Sequence, residues 1–109
     1  MELHGFPLGL TDWTQVPAEH FPGERGMARW QTQQCGALRV RIVQYSPDYL
    51  AAHWSQKGQV MLCLHGELEL ELRNGPRLRL ARCQSLQLAD NECVHRVRSL
   101  VGSQVFVVD

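Results

Sequence analysis

The stretch Glu67-Leu68-Glu69-Leu70-Glu71-Leu72-Arg73-Asn74-Gly75-Pro76-Arg77-Leu78-Arg79-Leu80-Ala81 decides the fold. Leucine and charge alternate with a period of two on both sides of Asn-Gly, the pattern of two half-buried strands joined by a tight turn. If Arg73-Asn74-Gly75 is a three-residue loop with Gly75 left-handed, forming a G1 bulge, Leu72 faces Pro76, Leu70 faces Leu78 and Leu68 faces Leu80. On the other side Glu71 then meets Arg77, and Glu69 meets Arg79. A two-residue turn would set Leu70 against Arg79 and Glu71 against Leu78. Side-chain alternation penalises that one-residue slip heavily, so the three-residue loop is the expectation. The Glu–Arg pairs specify register more than they stabilise, and the face that carries them reads as solvated.

The same period runs outward through the chain. Leu38, Val40 and Ile42 alternate with Arg39, Arg41 and Val43; Leu86 and Leu88 flank Gln87; Val97, Val105 and Val107 complete the set. Six or more short strands with no 3.6-residue period predict an all-β sandwich or small antiparallel barrel. Residues 1–25, punctuated by Pro7, Pro17 and Pro22, are expected to form an irregular segment that packs on the barrel domain of residues 26–109. A short helical turn capped by Thr11-Asp12 is the most that segment suggests. On the Leu38–Val43 strand the default puts Leu38, Val40 and Ile42 inside. The reverse follows if their face packs against the N-terminal segment or a second subunit, and an inward Arg39–Arg41 pair would then select an anion such as a carboxylate.

A chain of 109 residues makes one domain the natural count. Eleven Lys plus Arg balance eleven Asp plus Glu, so there is no basic excess of the kind that nucleic acid requires. No basic amphipathic stretch points to a membrane surface either. At 44% hydrophobic, the chain is too apolar to be disordered. Met1-Glu2-Leu3-His4-Gly5-Phe6-Pro7 lacks the basic and apolar regions of a signal peptide, and the apolar runs Val60–Leu64 and Val105–Val108 are too short to span a bilayer. The expectation is a cytoplasmic protein. Cys35, Cys63, Cys83 and Cys93 include no C-x-x-C pair, so they read as reduced and mostly buried thiols rather than a zinc site.

Chemistry concentrates in Tyr49-Leu-Ala-Ala-His53-Trp-Ser55-Gln-Lys-Gly58-Gln59-Val-Met61-Leu-Cys63-Leu-His65-Gly66-Glu67. This stretch resembles the first motif of the cupins, in which a His-x-His pair precedes a Glu and then a Gly that opens the next strand. Residues 83–90 followed by Glu92-Cys93-Val94-His95 resemble the second motif, and the likeness covers residues 36–108. Ala52-His53-Trp54-Ser55, the Gly66-Glu67-Leu68 turn, the Val107-Val108-Asp109 ending, Thr11-Asp12-Trp13 and Glu24-x-Gly26-x-Ala28-x-Trp30-x-Thr32 are similar to the small single-domain DHCW-motif cupins. The resemblance implies a cupin-type double-stranded β-helix, or jelly roll, with a site in its interior. Family members often hold a divalent metal through two or three His and a carboxylate.

Carried over by position, His53 matches the first His and His95 the last. Ser55 falls where a second ligand or a Cys would stand, and Gln59 occupies the Glu/His position. The implied metal set is His53, His95 and Gln59, and Ser55, Gln59, Met61 and Cys63 are the ligand-binding candidates, since all four recur at even spacing on one face. Two imidazoles with an amide and a hydroxyl suit zinc, nickel, iron, manganese or copper at modest affinity, and otherwise no cofactor. Loss of the carboxylate weakens the attraction for a hard dication. No catalytic residue can be named from the sequence: Ser46, Ser55, Ser85, Ser99 and Ser103 lack an elbow motif, and no phosphate loop or carboxylate pair stands out. His4, His20 and His65 read as surface or packing residues, although a folded-back N-terminal segment could bring His20 to the barrel mouth. Trp54 reads as packing.

Three functions follow as expectations. The first is a small organic ligand bound in the barrel, with or without a weakly held divalent metal. The second is a metal-free binding or sensing module that has lost its chemistry. The third is a metal-dependent oxygenase or isomerase acting on a small substrate. Neither nucleic acid nor membrane is expected as a partner, and exposed β edges allow a homodimer.

Overall fold

The computed structural model describes residues 3–109. Nine strands, β1 (Ala18–Pro22), β2 (Met27–Cys35), β3 (Leu38–Tyr45), β4 (Tyr49–Leu50), β5 (Gln59–Leu72), β6 (Arg77–Ala81), β7 (Ser85–Leu88), β8 (His95–Ser99) and β9 (Ser103–Val108), form one curled sheet. Its order is β1-β2-β3-β9-β5-β8-β4, with β6 and β7 also paired to β5, and every pairing is antiparallel. A single 3₁₀ turn, Trp13–Gln15, is the one helical piece among the described residues; the Asp12 carboxylate caps it by accepting from Thr14 N–H at 3.0 Å.

The decisive hairpin has the expected register: Leu68 opposes Leu80, Glu69 opposes Arg79, Leu70 opposes Leu78 and Glu71 opposes Arg77. Two details differ. Gly75 is not left-handed. The turn closes instead by Gly75 N–H donating to Leu72 O at 3.4 Å, and Pro76 biases the residue before it toward extended backbone. The charged face is also less solvated than alternation suggested. β8 lies along the other side of β5, opposing Glu69 with Arg98 and Glu71 with Arg96, and the three glutamates are half-buried. Glu71 consequently pairs with Arg96 at 3.4 Å, while Arg79 reaches diagonally to Glu67 at 2.6 Å.

β5 bends within its length. A register shift falls between Cys63 and His65, and Gly66 just beyond it has φ 71°. A Cβ at Gly66 would run into the backbone carbonyl oxygen of Gly102. Only glycine fits both constraints.

β3 reverses its default. Arg41 and Val43 are buried, whereas Ile42 turns to the other face beside Phe106. The Trp13 ring meets Phe106 edge-on at 6.5 Å, and the Gln31 amide holds the N-terminal turn by donating to Trp13 O at 2.7 Å and Val16 O at 2.8 Å. The apolar outer face is thus covered by the N-terminal segment, which frees the inner face for Arg39 and Arg41. That segment is also less irregular than expected. Residues 18–22 form β1, an edge strand whose final Pro22 needs no ladder donor.

Ala28, Val43, Met61, Cys63, Leu68, Val105 and Val107 make up most of the core. All four cysteines are free, but only Cys63 is buried; Cys83 sits exposed on a turn at φ 70°, and Cys35 and Cys93 are half-buried. Among the described residues, no helix is long and apolar enough to cross a membrane.

Candidate ligand-binding site

Side chains from seven strands and one loop enclose a cavity of about 460 Å³ inside the curled sheet. β3 contributes Arg39, Arg41 and Tyr45, and β2 contributes Trp30. His95, Arg96 and Val97 come from β8, Val107 comes from β9, and Gln59 starts β5. The loop after β4 brings His53, Ser55 and Lys57 to the wall. Phe21 and Tyr49 add aromatic surface. Four of the positions singled out in the sequence, His53, Ser55, Gln59 and His95, therefore meet at one cavity.

His95 is the most constrained of them. Ser55 and His95 exchange backbone hydrogen bonds, Ser55 N–H to His95 O at 2.7 Å and His95 N–H to Ser55 O at 2.9 Å, which ties the His53–Ser55 strip to β8. The residue is 1% exposed. Its Nδ1 lies 3.2 Å from Cys93 O, and a carbonyl oxygen only accepts, so Nδ1 carries the proton and donates. Nε2 is left buried with no partner, and in the neutral ring it carries a lone pair. His53 stands more exposed on the wall, and the Ser55 hydroxyl accepts from Lys57 N–H at 3.1 Å.

Arg39 and Arg41 converge on Asp109, whose side chain is wholly buried. Arg39 binds it bidentately, Nε to Oδ1 and Nη2 to Oδ2, both at 3.0 Å; Arg41 Nη2 donates to Oδ2 at 2.9 Å. The Arg41 guanidinium also lies 4.2 Å from the Trp30 ring centroid. Its Nε is buried and unpartnered. A buried unsatisfied donor costs about 1–3 kcal/mol, so such a group favours a ligand that supplies the acceptor. Burial lowers the Arg41 pKa and the Asp109 carboxylate works the other way, yet a guanidinium stays charged at any physiological pH.

Met61 and Cys63 lie in the core, 2% and 0% exposed, and not on the cavity wall. Burial pushes the Cys63 thiol pKa up, and its Sγ–H donates to His65 O at 3.3 Å, so it is held as a thiol. Trp54 packs as expected, with the Arg96 guanidinium 4.5 Å from its ring centroid. His20 and His65 share a separate open groove with Met27 and Gln104. The N-terminal strand thus takes His20 to that groove and not to the cavity that holds His53. Sequence reasoning assigned no site role to Trp30, Tyr45 and Tyr49 on the wall or to Asp109 behind Arg39 and Arg41, although Arg39-x-Arg41 on an apolar strand was a signal for the cationic wall.

Among the described residues no three His, Cys, Asp or Glu side chains cluster where they could hold a metal ion. The available donors are two imidazoles, an amide and a hydroxyl. As donor types they suit a borderline ion held loosely with water completing its shell, and do not suit a tight three-ligand centre.

No protein-family model matches the sequence. No curated protein matches it either. Solved structures do match. The chain superposes on ectoine synthase from P. lautus with a TM-score of 0.75 at 10% identity, covering 93% of this chain and 76% of that one. An RmlC-like cupin from Shewanella frigidimarina gives 0.69 at 16% identity over 96% and 88%. Fe(II)-HppE with the alternative substrate (S)-1-HPP gives 0.75 at 10% identity over 94% of this chain and 60% of that one. At these identities the likeness establishes the fold alone: an all-β, cupin-type jelly roll.

Proposed function

We propose that the protein binds a small organic molecule in the barrel cavity. The observation that carries this reading is the convergence of His53, Ser55, Gln59 and His95 with a cationic and aromatic wall around one cavity of about 460 Å³, a size suited to a metabolite. In this reading residues 26–109 are the binding barrel and residues 1–25 its cover. The Ala52-His53-Trp54-Ser55 and Gly66-Glu67-Leu68 segments support placement in the DHCW-motif branch. Four free cysteines suit a reducing cytoplasm.

A divalent metal held through His53 and His95 is the first variant of this reading, and a metal-free module the second. The lone pair at His95 Nε2 favours the former; neutral Gln59 and Ser55 in ligand positions favour the latter. Metal-dependent catalysis belongs to the first variant, and iron in the name of one structural neighbour is consistent with it. When bound, such an ion would act as a Lewis acid or activate dioxygen. Metal content of the untagged protein, measured by mass spectrometry beside the His53→Ala/His95→Ala double variant, separates the two. Stoichiometric metal lost in the double variant supports the metalloprotein. Equal near-zero content in both removes it.

A further inference from the structure

Two buried side-chain nitrogens among the described residues have no hydrogen-bond partner, Arg41 Nε and His95 Nε2, and both residues line the same cavity. Their chemistry is complementary. Arg41 Nε–H can only donate, whereas His95 Nε2, with Nδ1–H committed to Cys93 O, can accept in the neutral ring. Arg39 and Arg41 share the single negative charge of Asp109, so that trio leaves one positive charge, and Lys57 on the wall adds another. Trp30, Tyr45 and Tyr49 supply flat apolar surface beside them.

We infer that the ligand is a small hydroxycarboxylate with an apolar or aromatic body, its carboxylate accepting from Arg41 and its hydroxyl donating to His95. This rests on the metal-free variant of the reading that the cavity binds a small organic molecule, in which His95 Nε2 is not a metal ligand, and narrows it to one chemical class. A neutral ligand would leave the net cationic charge uncompensated. A carboxylate without a donor would leave the His95 lone pair unsatisfied.

The test titrates the full chain with three probes of one shape: mandelate, phenylacetate, which lacks the hydroxyl, and benzyl alcohol, which lacks the carboxylate. Calorimetry gives affinity, and the NMR shift of the Trp30 indole reports occupancy of the cavity. Mandelate should bind about tenfold or more tightly than either analogue, the scale of one lost charge-assisted or buried hydrogen bond. Arg41→Gln should erase its advantage over benzyl alcohol, and His95→Phe its advantage over phenylacetate. Benzyl alcohol binding as tightly as mandelate, or an advantage that survives Arg41→Gln, overturns the inference while leaving small-molecule binding intact. If no probe moves the Trp30 resonance, both fall. Where a variant does not fold, the wild-type probe series decides alone.

Discussion

Asp109 holds two guanidinium groups from inside the sheet, and its own side chain is fully buried. Asp109→Asn leaves Arg41 buried beside Arg39 with no countercharge. Removing one member of a buried pair costs about 3–5 kcal/mol, and the lower end applies here because Arg39 is partly exposed. Urea unfolding of the variant should show that loss; an unchanged midpoint would mean the cluster is solvated in solution. Tyr45 makes a pH prediction. Desolvation raises its pKa, with Tyr49 adding to the effect. A group whose folded pKa is raised contributes stability that is complete below the ordinary tyrosine range near 10 and lost as pH rises above it, because the unfolded chain ionises first. Stability should therefore fall from about pH 10 upward, and Tyr45→Phe should flatten that slope in alkaline melts. At this scale the sequence showed residue types but not partners. Arg39 and Arg41 were visible on an alternating strand, yet their direction depends on Trp13, which lies far away in the chain and covers the opposite face.

Hairpin β5–β6 was legible to the residue because local alternation and a turn signal agree, and a one-residue slip would expose every leucine. Its loop conformation was not legible, since Pro76 and the neighbouring Val94 carbonyl, which accepts from Arg73 N–H at 2.9 Å, decide it together. The bend in β5 was likewise hidden. Gly66 looked like a strand start, whereas it is the point where one long strand passes from its β9 neighbour toward β8. Gly66→Ala meets a left-handed backbone and the Gly102 carbonyl at once. Strain of that kind costs about 1–3 kcal/mol before the clash is counted, so the melting temperature should drop by at least about 5 °C. Gly75→Ala, at a position without positive φ and with only ordinary contacts to Leu72, should change it far less.

For the molecule as a whole, period-two patterning sufficed to foresee an all-β fold, and the motif likeness foresaw its cupin-type form. The placement of the candidate residues was legible in part: His53, Ser55, Gln59 and His95 meet at one cavity, but Met61 and Cys63 do not line it, because the same inward face that leads to the wall at Gln59 descends into the core. β1 ends the sheet with Phe21 exposed, and Leu8 and Leu10 ahead of it are fully exposed. We propose a homodimer formed along this edge. Sedimentation at micromolar concentration should give twice the 12.4 kDa chain mass, and a clean monomer would refute it. Finally, β5 alone bonds to β6, β7, β8 and β9. That has a kinetic consequence. Only its hairpin with β6 closes over a short loop; Leu62 must wait for Phe106, far along the chain, before the barrel shuts. Refolding should accordingly run in milliseconds to seconds, with the β5–β6 hairpin structured in the transition state and the ligand cavity, which needs Val107 of β9, completed last.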